Sequence, residues 1–147
     1  MTQPIIRPLR ASDRKAWDPL WQGYLTFYRA SLTPETTETT WQRLLDPAET
    51  VKGFVAEVDG ELVGFTHYLM HRSTWADWYC YLEDLFVAPD GRGEGTGRLL
   101  IEAVADEARK AGAKHLYWLT HETNAVAQVL YNKVAERTGF IHYRKGL

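Results

Sequence analysis

Thiols are almost absent from this sequence. A single cysteine, Cys80, can form neither an intrachain disulfide nor a cysteine-based zinc site, which suits a reducing compartment. Long apolar runs are missing too, and none reaches the roughly 20 residues that a membrane-crossing helix needs. The opening stretch, MTQPIIRPLR, lacks the apolar core of a secretion signal, so a cytoplasmic protein with no membrane partner is expected. No charge dominates: 17 Lys and Arg stand against 19 Asp and Glu, for a net charge of −2, with no basic stripe. That excludes the electrostatic footprint of a nucleic-acid binder. Metal-ligand spacing is lacking as well, since His67 and His71 would share one face of a strand but stand too far apart to chelate together. No metal is expected.

What the chain does contain is material for a core. Hydrophobic residues make up 45% and charged residues 24% of 147 positions, which reads as one globular domain spanning residues 1–147. Six Trp and eight Tyr supply rings that fill cores and also line ligand pockets and subunit interfaces.

Ile5 to Leu9, bounded by prolines, reads as an edge strand. Ser12 or Asp13 can cap a helix that carries Trp17, Leu20, Trp21, Tyr24, Leu25 and Tyr28 at helical spacing. A second helix starts at Pro34-Glu35 and stops at Asp46-Pro47. Phe54 to Val58 and Glu61 to His67 flank Asp59-Gly60, the pair that a tight type I′ hairpin turn requires. Trp78 to Val87 is the next strand, Gly95 to Ala111 a helix, Lys114 to Thr120 a strand, Asn124 to Arg137 a helix, and Phe140 to Arg144 a final strand. This order implies an α/β fold whose sheet is antiparallel first and acquires parallel crossovers later.

The most informative stretch is Leu85-Phe86-Val87-Ala88-Pro89-Asp90-Gly91-Arg92-Gly93-Glu94-Gly95-Thr96-Gly97-Arg98. A strand feeds a loop of alternate glycines that runs directly into a helix. Glycines let a backbone approach a ligand, and free N–H groups at a helix start attract anions, with Arg92 and Arg98 adding positive charge. A pyrophosphate suits such a loop. The P-loop pattern fails because Gly97 is followed by Arg98-Leu99, and the dinucleotide pattern fails on glycine spacing and on its late position.

Arg92-Gly93-Glu94-Gly95-Thr96-Gly97 resembles the Gln/Arg-x-x-Gly-x-Gly/Ala signature of the GNAT superfamily of N-acetyltransferases, and Leu85-x-Val87-x-Pro89 before it is similar to what that family has there. The resemblance implies a mixed, mostly antiparallel sheet with a parallel splayed pair, flanked by helices. It also implies acetyl-coenzyme A as cosubstrate, its pyrophosphate on the loop amides and its pantetheine arm along Leu85, Phe86 and Val87.

Acetyl transfer to an amine needs the amine deprotonated, the carbonyl polarised and the departing thiolate protonated. Asn124-Ala125-Val126-Ala127-Gln128-Val129-Leu130-Tyr131 is similar to the family's Asn-x-x-Ala-x-x-Leu-Tyr motif, which implies Asn124 beside the cofactor and Tyr131 as general acid. Gly139-Phe140 comes eight residues after Tyr131, where the family commonly has four. Four added residues are about one helical turn and preserve the helix facing.

Glu83 and Asp84 are adjacent carboxylates in an aromatic strand, an arrangement that is costly unless they are paired, wet or functional. Alternation sends them to opposite faces unless a bulge intervenes. Tyr81-Leu82-Glu83-Asp84 resembles the strand of spermidine/spermine-type acetyltransferases, which implies Glu83 as general base through water and Asp84 as an anion for a substrate cation. Tyr24, Phe27, Tyr28, His67, His71, Trp118 and His121 are candidates to line the acceptor pocket. The acceptor itself stays open between a small-molecule amine (a polyamine, an amino acid or a related metabolite) and a protein or peptide amine. A non-catalytic acyl-coenzyme A-binding module is the third reading. Ring surplus and family habit point to a homodimer.

Overall fold

A sheet with its hydrophobic residues alternating to both faces has to be covered twice, and helices before and after the central strands do this. The computed structural model describes residues 3–147. Its elements run β1 (Ile5–Pro8), a 3-10 turn (Ala11–Asp13), α1 (Arg14–Phe27), α2 (Pro34–Leu45), β2 (Val51–Val58), β3 (Glu61–Arg72) and β4 (Trp78–Val87). A second 3-10 turn (Pro89–Gly91), α3 (Thr96–Lys110), β5 (Ala113–Tyr117) and α4 (Ala125–Val134) follow. Contacts divide the chain into one unit ending at Tyr117 and a second, Trp118–Leu147.

The first unit holds the sheet, ordered β1-β2-β3-β4-β5. All neighbours are antiparallel except β4 and β5, which are parallel. The β2–β3 hairpin turns through Asp59 and Gly60 at φ 51° and 82°, as the Asp-Gly pair requires. One face carries Val55 and Phe65 against Trp17, Leu20, Trp21 and Leu25 of α1 and Trp41 and Leu44 of α2. Trp17 is the centre of this cluster, fully buried and stacked on Trp21 at 5.4 Å. The alternate residues Phe54, Ala56, Tyr68, Cys80 and Leu82 are buried on the other face, where α3 packs with Leu100, Ile101, Val104 and Ala108 buried. Burial there pushes the Cys80 thiol up to about 11, so it stays a core residue at neutral pH.

The second unit differs from the sequence expectation. Its helix ends at Val134, short of Arg137, and residues 135–147 form neither helix nor strand. The expected strand Phe140 to Arg144 is therefore absent. Strands persist by hydrogen bonding to a neighbour, and no described strand pairs with this segment. Phe140, Ile141 and Tyr143 are correspondingly 85%, 76% and 87% exposed.

Candidate active site

The loop after β4 is shaped by its glycines. Gly91 packs so tightly that an added Cβ would stand 2.9 Å from the Val63 Cβ. Gly93 and Gly95 are different: both have positive φ (88° and 75°), and a Cβ on either meets nothing within 4 Å. Their conformation requires glycine and the space beside them is open. The buried Thr96 hydroxyl donates to the Gly91 carbonyl at 3.3 Å and draws the loop into a closed shape. Gly95 is the residue preceding α3, and its carbonyl accepts from the Leu99 amide at 3.0 Å. That leaves the amides of Thr96, Gly97 and Arg98 without an intrahelical acceptor, and no side chain caps them. No acid occupies the first turn, so these amides are free to meet an anion. Arg92 anchors to the Val87 carbonyl at 2.8 Å and lies near the Phe86 ring. Arg98 pairs with Glu102 on the exposed helix face, and Glu94 is exposed.

The strand leading into this loop has an open edge. β5 pairs with β4 only from Trp78 to Tyr81. Leu85, Phe86 and Val87 pair with Thr66, Phe65 and Gly64 of β3, and no described strand lies along their other side. An extended ligand arm can add there as a further strand would.

Between the paired and open stretches sits a bulge. His67 faces Asp84 and Tyr68 faces Leu82, so Glu83 is the extra residue on β4. The insertion resets the alternation: Leu82 points toward α3, whereas Asp84 shares the α1 face with His67. Strict alternation would have given Leu82 and Asp84 the same face. Glu83 is exposed, yet partial desolvation and the neighbouring Asp84 charge hold its carboxyl above the ordinary range, while His67 acts in the lowering sense. A carboxylate so placed is a better base than a free one.

Asp84 is 9% exposed and both of its oxygens have a donor. The Tyr24 hydroxyl donates to Oδ1 at 2.6 Å, and His67 Nδ1 lies 2.9 Å from Oδ2. The Thr66 hydroxyl donates to the Asp84 carbonyl at 2.8 Å, fixing the backbone at the bulge. On its far side His67 Nε2 meets the Trp17 indole N–H at 3.2 Å. Burial first, and then the Asp84 charge, push the Tyr24 phenol well above its usual range, and the same two causes act on Tyr28. Tyr28 and Phe27 are exposed at the end of α1, and Tyr28 meets the Tyr24 ring edge-on at 5.0 Å.

Of the expected acceptor-side residues in this unit, the structure thus brings Tyr24, Tyr28, His67, Glu83 and Asp84 together. His67 is 1% exposed and occupied on both nitrogens, so it supports Asp84 instead of lining open space. His71 stands apart, its Nε2 2.8 Å from the Tyr117 hydroxyl. Trp17 and Thr66 carry polar roles that sequence spacing does not reveal, because Trp17 is equally well placed there as a core ring. In the second unit, Tyr131 and Trp118 are half-buried and meet edge-on with ring centroids 5.4 Å apart. Asn124 caps α4, its side-chain oxygen accepting from the Ala127 amide at 3.3 Å. His121 is exposed and bonded to Thr123. Among the described residues no group of three His, Cys, Asp or Glu could hold a metal ion, and no helix is long and apolar enough to cross a membrane.

Residues 17–135 match the Acetyltransferase (GNAT) family. The D-amino-acid N-acetyltransferase of Saccharomyces cerevisiae is 35% identical over 144 residues, covering 96% of this chain and 89% of that protein. An uncharacterized N-acetyltransferase of Bacillus subtilis is 38% identical over 141 residues, 94% of each chain. Among solved structures, an aminoglycoside N-acetyltransferase in complex with coenzyme A shares the fold, with a TM-score of 0.84 over 99% of this chain and 96% of that one at 22% identity.

Proposed function

Because the chain belongs to the acetyltransferase (GNAT) family of N-acetyltransferases, we propose that it transfers the acetyl group of acetyl-coenzyme A to a primary amine of a small molecule. The observation that carries this reading is the bulge that sets Glu83 beside Asp84 on the strand feeding the glycine loop. The first of the relatives above, named for D-amino acids, supports a small acceptor.

The residues present fit the cosubstrate. Open space beside Gly93 and Gly95 and the uncapped amides of residues 96–98 suit its pyrophosphate, with Arg92 and Arg98 adding charge. The free edge of Leu85, Phe86 and Val87 suits its extended arm. When bound, acetyl-coenzyme A supplies an acetyl thioester already activated toward an amine.

The chain's own groups then handle protons. An alkylamine is almost wholly protonated at neutral pH, and Glu83 takes that proton directly or through one water. Asp84, held by Tyr24 and His67, supplies the negative charge that favours a cationic acceptor. Tyr28 stands beside Tyr24 to shape the approach. In the second unit, Tyr131 is the general acid for the departing thiolate, with Trp118 packed against its ring and Asn124 ordering the start of its helix. The exposed apolar residues Phe140, Ile141 and Tyr143 support a homodimer. A cytoplasmic location agrees with the lone buried cysteine.

The test is release of free thiol from acetyl-coenzyme A across a panel of polyamines, amino acids and peptides, with intact-mass analysis of each peptide. Thiol release dependent on one class of small amine supports the proposal. Acetylated peptide without small-amine turnover makes it a protein acetyltransferase, and cofactor binding without turnover makes it a binding module.

A further inference from the structure

A buried histidine between an indole and a carboxylate has little freedom. An indole N–H can only donate, so His67 Nε2 must present its lone pair to Trp17 across 3.2 Å. The ring proton is then on Nδ1, which donates to Asp84 Oδ2 at 2.9 Å. Tyr24 closes the other end by donating to Oδ1 at 2.6 Å. Every proton in the chain Trp17, His67, Asp84, Tyr24 therefore has one direction, ending on Asp84 from both sides. Trp17 is 0% and His67 1% exposed, so water does not compete for these bonds.

We propose that Trp17 and His67 are positioning residues for the transfer reaction, holding the Asp84 carboxylate in one orientation beside the bulged Glu83. The inference rests on the reading of Glu83 as base and deepens it. A fully buried tryptophan is placed where only its single polar atom fixes which nitrogen of His67 carries the proton. His67 is consequently a donor to Asp84 and not a base in its own right. The charged and titratable groups around Glu83 are Tyr81 and Asp84 on its own strand, His67 on β3 and Tyr24 on α1, with Tyr28, just past the end of α1, facing Asp84. Burial raises the Glu83 carboxyl first and the Asp84 charge raises it further, by an amount that depends on where the Asp84 side chain is held.

Two measurements test this. Long-range proton–nitrogen correlation spectra of the nitrogen-15-labelled protein, with His67 assigned by loss of its signals in His67→Gln, report the tautomer directly. At about pH 7.5, above the ordinary histidine range, Nδ1 is expected to be pyrrole-like and Nε2 pyridine-like. The reverse tautomer or an imidazolium overturns the proposal. Trp17→Phe keeps a ring but deletes the donor, so Asp84 loosens and its influence on Glu83 weakens. The acid limb of kcat/KM for the amine should then move to lower pH, with KM for the amine raised and cofactor affinity unchanged. A folded Trp17→Phe protein that loses only thermal stability, with the parent's acid limb and KM, also overturns it. Should that variant not fold, the wild-type tautomer alone decides. Glu83→Gln with the parent's pH profile would instead remove the base reading, whatever the tautomer of His67.

Discussion

The glycine loop and the carboxylate bulge lie on one stretch of chain, yet they are built by opposite means. The loop is made by withholding side chains: Gly93 and Gly95 take positive φ and leave open space beside them. The bulge is made by crowding polar side chains into the interior, with Asp84 at 9%, His67 at 1% and Trp17 at 0% exposure. Withheld side chains raise the conformational entropy lost on folding. Buried polar groups cost desolvation, recovered only when every donor meets an acceptor. The loop should therefore be intolerant of anything added, and the bulge intolerant of anything removed.

The largest expected effect tests whether the two regions suffice for the chemistry. Tyr131→Phe, outside both, should lower turnover on the order of a hundredfold to ten-thousandfold while leaving cofactor affinity near normal. Full turnover would return the thiolate's proton to some other group. Next comes Asp84→Asn, which replaces one acceptor oxygen by a donor facing Tyr24 or His67. A buried donor left without its acceptor costs about 1–3 kcal/mol, so thermal unfolding should show a clear loss. The Michaelis constant for a cationic amine should rise more than turnover falls. An unchanged melting temperature would mean that the bulge tolerates removal after all.

Gly95→Val probes the other side of the comparison. Its φ of 75° strains any side chain by roughly 1–2 kcal/mol, and the new methyls enter the space assigned to pyrophosphate. Gly112→Ala is the control, since Gly112 has φ 88° and open surroundings at the end of α3. Both variants should lose stability, but only Gly95→Val should weaken the rise in melting temperature that acetyl-coenzyme A produces. Equal cofactor affinity in both would take the loop out of the site. The smallest effect is a gain. The Glu83 carboxyl is raised in the folded state, so its contribution to stability falls as pH rises from the unfolded value through the folded one. Glu83→Gln should melt slightly higher than the parent at pH 7, and the difference should vanish near pH 4. A lower melting temperature at pH 7 would mean that the charge is well paired.

The loop was legible in the sequence because its chemistry is local. Glycines before a helix indicate room for a ligand and free amides, and Gly93, Gly95 and the start of α3 have these, whereas Gly91 is packed against Val63. The element order was legible for the same reason, with Asp59-Gly60 fixing the hairpin and helical spacing fixing α1 and α3. The bulge was only half legible. Adjacent acids in an aromatic strand signalled something unusual, but whether they share a face depends on the register against β3, which no local pattern encodes. Trp17 was hidden altogether, because its partner lies 50 positions away and a buried ring is an adequate reason for it. The segment Phe140 to Arg144 shows the converse: its residues suit a strand, but a strand also needs a hydrogen-bonding neighbour, and no described strand pairs with it.

In the proposed reaction Glu83 receives the amine's proton, and the pH dependence of Glu83→Gln is the decisive measurement. Glutamine keeps the volume and the exposed position at the bulge but cannot accept a proton. In the parent, kcat/KM should fall as pH drops through the raised value of the Glu83 carboxyl. In the variant that limb should be lost, with turnover depressed near neutrality and partly recovered at high pH, where more free amine exists. Acetyl-coenzyme A affinity should be unchanged. A variant with the parent's rate and the parent's acid limb would show that Glu83 is not the base.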